Sequence, residues 1–99
     1  MNKYVNLFKA LSDETRLRLV VSLAHGEHCV CELTEMLKLS QPKVSRHLAK
    51  LKTLGIVQSR RETQFIYYSL ASNREDVISI VNVIEKRTVN DIDSTKGRG

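Results

Sequence analysis

Two sets of residues in this chain have types and spacing suited to chemistry. The first is Cys29-Val30-Cys31, which holds both cysteines of the chain. Thiols one residue apart, with no export signal before them, read as soft-metal or redox chemistry, and a structural disulfide is not expected. His25 and His28 flank the pair and offer nitrogen donors for a mixed site. The plainer alternative is two small, partly buried apolar residues. The second set lies on Leu39-Ser40-Gln41-Pro42-Lys43-Val44-Ser45-Arg46-His47-Leu48-Ala49-Lys50-Leu51. Ser40 is a good N-cap, and Pro42 falls in the first turn, where a missing N–H costs nothing. Val44, Leu48 and Leu51 follow i, i+4, i+7, so one stripe faces a core. Gln41, Lys43, Ser45, Arg46 and, at the edge, His47 are left on the other side, with Lys50 further along. Forked donors, hydroxyls and amides are the groups that bind base edges and phosphates. An ordinary capped amphipathic helix with a solvated face is the competing reading of this stretch taken alone.

The charge distribution favours the nucleic-acid reading. The chain of 99 residues carries a formal charge of +5, with 41% hydrophobic and 27% charged residues. From Met36 to Arg61 there are seven Lys or Arg residues (Lys38, Lys43, Arg46, Lys50, Lys52, Arg60, Arg61) and no Asp or Glu. A one-sign block inside a patterned segment suits a polyanion-facing surface. The length suits one domain with a modest core. No signal peptide and no membrane-length apolar run is present, so a cytoplasmic location without membrane contact is expected. Paired carboxylates, a nucleophile–base set and a phosphate-cradling glycine loop are all missing, which argues against an enzyme.

The elements that must position these residues follow from periodicity and punctuation. Residues 2–11 predict a short amphipathic helix carrying Tyr4, Val5, Leu7, Phe8 and Leu11. Ser12 is expected to cap a second helix that ends at Gly26, with Asp13 and Glu14 in its first turn. Arg16 and Arg18 read as surface or salt-bridge residues. A third helix spans about 30–37, and the polar helix follows after Lys38-Leu39. Two helices so joined, the second exposing basic groups, make a helix-turn-helix. Gly55 closes the second of them. Strands are expected over 56–61 and 65–70, with the turn at Glu62-Thr63-Gln64. This basic hairpin reads as a wing, with Arg60 and Arg61 on phosphates and Gln64 at the minor groove; a plain stabilising hairpin is the alternative. The last helix, 73–88, has a stripe of Val77, Ile80, Val81 and Ile84 with Ile78 and Val83 beside it. That is more apolar surface than one small domain covers, so a homodimer through this helix and residues 2–11 is expected. The organisation is then a domain over 1–89 and a disordered tail over 90–99.

Four stretches, in this order and spacing, resemble the ArsR/SmtB family of bacterial metal-responsive repressors, closest to its arsenic-responsive branch. They are Leu7-Phe8-Lys9-Ala10-Leu11-Ser12-Asp13-Glu14-Thr15-Arg16-Leu17, Cys29-Val30-Cys31-Glu32-Leu33, Ser40-Gln41-Pro42-Lys43-Val44-Ser45-Arg46-His47-Leu48 and Tyr67-Tyr68-Ser69-Leu70. The resemblance implies a mainly α fold with a small β-hairpin, a homodimeric winged helix-turn-helix. It implies a repressor that binds a double-stranded operator and leaves it when arsenite or antimonite binds, with no obligatory cofactor. It places Gln41, Ser45, Arg46 and His47 against DNA, puts Arg60, Arg61 and Gln64 in the wing, and makes Cys29 and Cys31 the metalloid ligands. The branch often has a third cysteine where this chain has Thr34, and trivalent arsenic prefers three thiolates. Residues i and i+2 of a regular helix sit about 200° apart. Joint ligation by Cys29 and Cys31 is therefore expected to deform the first turn of the third helix and shift the reading helix. Sensing of an oxidant or another thiophilic metal through the same thiols stays open, as does a winged-helix module that docks protein. A zinc site on the last helix is disfavoured, because that helix offers Glu75, Asp76 and Glu85 but no histidine.

Overall fold

The structure is a computed structural model that describes residues 1–98, with side chains for residues 1–87. The chain runs α1 (Asn2–Leu11), α2 (Glu14–Ala24), β1 (His28–Cys29), α3 (Val30–Leu37), α4 (Gln41–Thr53), β2 (Val57–Glu62), β3 (Phe65–Leu70) and α5 (Glu75–Arg98). The expected tail at 90–99 lies outside the residues whose side chains are described. α5 is assigned from Glu75 to Arg98, where periodicity predicts 73–88.

The helix caps explain the boundaries. α4 starts at Ser40, whose side chain accepts the Lys43 N–H at 3.3 Å. It stops after Leu54 because Gly55 takes φ +74°, a left-handed conformation in which glycine has no Cβ to clash. The cap of α2 is Asp13 rather than Ser12. The Asp13 carboxylate accepts the Arg16 N–H at 3.0 Å, whereas the Ser12 hydroxyl donates back to the Lys9 carbonyl and closes α1. Both residues are good cap formers, and the one carrying charge sits at the positive helix end. The Asp13 pKa is held below the usual aspartate range, first by the Arg16 N–H and then by the Arg16 and His47 charges, against an opposing effect of burial.

The sheet has three antiparallel strands in the order β1-β3-β2, not the two expected. β2 and β3 form the hairpin, in register from Val57↔Leu70 to Glu62↔Phe65. Thr63 turns the corner at φ +55°. β1 adds to the free edge of β3, pairing His28 with Tyr68 and Cys29 with Tyr67. Two residues are too short to show any alternation, so only the partner strand reveals them as a strand.

The core gathers one stripe from each helix. Leu19, Val20, Leu33, Val44, Leu48, Leu51, Ile56, Val77 and Val81 are all buried. Arg18 ties α2 to α3 by donating to the Leu37 carbonyl at 3.2 Å, and Arg16 donates to the Ala10 carbonyl at 2.9 Å. At the start of α5, buried Arg74 pairs with Asp76 through Nε at 3.1 Å. Burial works against the Asp76 carboxylate, but Arg74 and the Val77 N–H outweigh it and hold its pKa below the usual range. Leu48 joins the back of α4 to this core at 0% exposure. Leu48→Ala should cost about 2–5 kcal/mol, read as a lower urea midpoint at unchanged slope. A midpoint unmoved by the substitution would mean that α4 is not anchored by this stripe.

Candidate nucleic-acid interface and thiol site

Burying Val44, Leu48 and Leu51 sends the opposite face of α4 outward. Gln41, Arg46 and Lys50 are exposed, and Lys43 and Ser45 are half-buried. Gln41 Nε2 donates to Ser45 Oγ at 2.7 Å, so the amide and the hydroxyl act as one unit at the start of the helix. His47 is placed differently. Its side chain is 16% exposed and lies 3.9 Å from the Asp13 carboxylate. Arg16 Nη1 is 3.4 Å from its Nδ1. The imidazole therefore packs beside the start of α2, at the edge of the outward face.

The wing also divides its residues. Arg60 donates from Nε and Nη2 to the two oxygens of Glu27, at 2.9 and 2.6 Å, and from Nη1 to Glu62. Its guanidinium lies 4.8 Å from the Tyr67 ring centroid. Arg60 holds the Glu27 carboxyl below its usual pKa, and Glu27 and Glu62 raise that of Arg60. A guanidinium paired on both edges with carboxylates must give up those pairs to take a phosphate. Arg60 therefore braces the hairpin against the loop before β1. Arg61 and Gln64 are exposed, and Arg61 has no ion-pair partner among the described residues. Arg61→Ala should flatten the salt dependence of DNA affinity by about one unit of log–log slope, and Arg60→Ala by much less. Anisotropy titrations across a salt series check this, and equal slope losses would put Arg60 back on the phosphates.

The thiols meet in a way the helix argument does not foresee. Cys29 and Cys31 are joined as a disulfide, with Cα atoms 5.4 Å apart. This corrects the expectations that no disulfide forms and that the two side chains diverge. The reason is that Cys29 is not inside the helix. It is the N-cap of α3, with extended backbone at φ −78°, ψ 161°, and only Cys31 is helical. The 200° separation of helical residues i and i+2 therefore does not apply, and no turn has to unwind for the sulfurs to meet. Cys29 Sγ accepts the Glu32 N–H at 3.3 Å, while Glu32 Oε1 accepts the Cys29 N–H at 2.9 Å. This is a capping box with sulfur in the usual hydroxyl position. Cys-x-x-Glu before an apolar run is its sequence signal, and sequence reasoning missed it.

The surroundings of the sulfurs are specific. Cys29 is 5% exposed, and Cys31 faces solvent. Thr34 donates its hydroxyl to the Cys31 carbonyl at 2.7 Å. The neighbouring histidines do not converge on the thiols. His25 bonds Glu85 of α5 at 2.7 Å, and His28 Nδ1 sits 3.8 Å from Glu32. Among the described residues no group of three His, Cys, Asp or Glu side chains could hold a metal ion. A groove of about 600 Å³ opens beside the sulfurs. Cys29, Cys31 and Thr34 form one wall, Gln41 and Ser45 of α4 another, and Gln64, Phe65, Ile66 and Tyr68 of the hairpin the third.

Fold and site together define a winged helix-turn-helix protein whose thiol pair sits beside its reading helix. A family model described as "Bacterial regulatory protein, arsR family" matches residues 13–59. The arsenic resistance transcriptional regulator ArsR1 of Pseudomonas putida is 55% identical over 65 residues, covering 65% of this chain and 51% of that protein. Reduced HlyU from Vibrio cholerae superposes with a TM-score of 0.80 at 36% identity, covering 86% of this chain and 87% of the other. A homodimeric winged helix-turn-helix DNA-binding domain from Mycobacterium bovis superposes at 0.77 with 27% identity, covering 94% and 84%. The chain belongs to the arsR family of bacterial regulatory proteins. It spans about half the length of the curated relatives it matches.

Proposed function

We propose that this protein is a transcriptional repressor that binds an operator as a homodimer and is released when a trivalent metalloid, arsenite or antimonite, joins Cys29 and Cys31. The observation that carries this reading is the shared groove, in which the thiol pair faces Gln41 and Ser45 of the reading helix and Gln64 of the wing. Gln41, Lys43, Ser45, Arg46, Lys50, Arg61 and Gln64 contact DNA in this reading, and His47 and Arg60 position the elements that carry them. The similarity to an arsenic resistance regulator supports the choice of inducer.

The coupling follows from the cap. In the reduced protein Cys29 serves both as the cap of α3 and as a metalloid ligand. Arsenic bridging the two sulfurs holds them at a different spacing from the disulfide, so binding shifts Cys31 relative to the Cys29 cap and strains the first turn of α3. Arsenic also occupies the wall that faces Gln41 and Ser45. Either effect releases the operator only to the extent that the metalloid binds the DNA-free arrangement more tightly. The exposed apolar residues Tyr4, Val5 and Phe8 on α1 and Ile78 and Val83 on α5 support the dimer. Such a dimer reads half-sites about 34–36 Å apart, with affinity that falls steeply with salt.

The test is anisotropy with a duplex from the region upstream of the gene, against a scrambled duplex, in reducing buffer, followed by arsenite titration. Specific binding that arsenite reverses is expected. Equal weak binding to both duplexes would point to a protein-docking module. The disulfide between Cys29 and Cys31 favours a second reading, in which an oxidant is the signal. In that case oxidised protein leaves the specific duplex without any metalloid.

A further inference from the structure

We infer that the groove beside Cys29 and Cys31 binds a low-molecular-weight thiol, which supplies the third sulfur to a metalloid held by the two protein thiols. This inference rests on the metalloid reading above. Trivalent arsenic favours three soft ligands, and the chain brings only two to the site. Thr34 has its hydroxyl committed to the Cys31 carbonyl, and Glu32 is committed to the cap. No third His, Cys, Asp or Glu completes a cluster among the described residues. Both sulfurs line the groove, whose volume of about 600 Å³ exceeds what one metalloid atom fills and leaves room for a third ligand. Gln41, Ser45 and Gln64 offer hydrogen bonds to a peptide-like body, and Ile66 and Tyr68 offer apolar contact. None of the residues lining the groove carries a charge, while the one-sign block of Lys43, Arg46 and Arg61 lies on the flanking elements. That field draws in an anionic thiol.

The chemistry balances without an added oxidant. Arsenous acid, As(OH)3, exchanges its three As–O bonds for As–S bonds to Cys29, Cys31 and the small thiol. Each thiol proton leaves with a hydroxide, giving three waters. The disulfide is opened beforehand by two equivalents of the same class of thiol. One thiolate attacks the exposed Cys31 sulfur and frees Cys29 as thiolate. The second thiol displaces the first from Cys31, leaving two protein thiols and the small disulfide.

The experiment uses the full chain, reduced with a phosphine and loaded with one equivalent of arsenite. Arsenic K-edge absorption counts the sulfurs, and native mass spectrometry detects the adduct. Arsenite alone, or with S-methylglutathione, should give two sulfurs and one oxygen. Glutathione should give three sulfurs, a mass increased by one glutathione, and apparent affinity tighter by about tenfold, as expected when a soft ligand replaces hydroxide. Thr34→Cys supplies a third thiol in cis and should show three sulfurs with no adduct. Ile66→Trp fills the groove and should lose the adduct while still binding arsenite. Two sulfurs in the wild type regardless of glutathione would overturn the inference and leave the metalloid reading standing. A full adduct in Ile66→Trp would remove the groove from it. No arsenite bound under any condition would defeat the metalloid reading itself.

Discussion

Serine at position 29 is expected to leave the protein folded and bound to its operator while making it unresponsive to arsenite. Serine is among the best N-cap residues, and its hydroxyl can accept the Glu32 N–H that Cys29 Sγ accepts now. The capping box survives, but one of two soft ligands is gone. The arsenite concentration for half-release should rise by at least about 100-fold, or about 2.8 kcal/mol. Cys31→Ser should behave alike, because Cys31 is an exposed first-turn residue whose side chain caps nothing. Cys29→Ala separates the two roles of the sulfur. It loses the ligand and the cap together and should cost about 0.5–2 kcal/mol of stability, toward the lower end because sulfur is a weak acceptor. Anisotropy release curves and urea melts on the three variants give both quantities. A Cys29→Ser protein that fails to bind its operator, or that arsenite still releases, would sink the mechanism.

That Cys29, the proposed ligand, is also the cap of α3 was not legible in the sequence, although the residues of the cap were present. Cys29 and Cys31 stand out as a pair, and Glu32 stands three residues after Cys29. The spacing alone predicts two helical positions because β1 is too short to announce itself. Its evidence is the pairing of His28 with Tyr68, forty residues away. The same limit applies to Arg60, whose bond to Glu27 spans 33 residues. Sequence proximity grouped Arg60 with Arg61, and only the fold separates a bracing arginine from a free one. α4, by contrast, was legible throughout. Ser40, Pro42 and Gly55 mark its ends locally, and Val44, Leu48 and Leu51 fix its inward face by spacing alone. Local signals survive without tertiary knowledge, and contacts made across the fold do not. His47 falls between these cases, since periodicity set it at the edge of the exposed face and Arg16 drew it inward.

The dimer carries the other large effect. Phe8 on α1 is 55% exposed and Val83 on α5 is 60% exposed, large apolar side chains that a monomer gains nothing by displaying. Lys3 and Asn6 of α1 line one groove with Arg74, the residue before α5. Neither Phe8 nor Val83 belongs to the buried core. Phe8→Glu with Val83→Glu should therefore leave helix content unchanged in circular dichroism. In a symmetric interface each substitution occurs twice, so four carboxylates would be buried against apolar neighbours. The variant should sediment as a monomer at concentrations where the wild type is dimeric. Operator affinity should fall by about 10²–10⁴, the gain that linking two half-site readers provides. The salt slope should shrink by about half, because only one subunit then neutralises phosphates. A monomer that keeps full operator affinity would break the link between dimerisation and DNA reading. A variant that stays dimeric would move the interface away from α1 and α5.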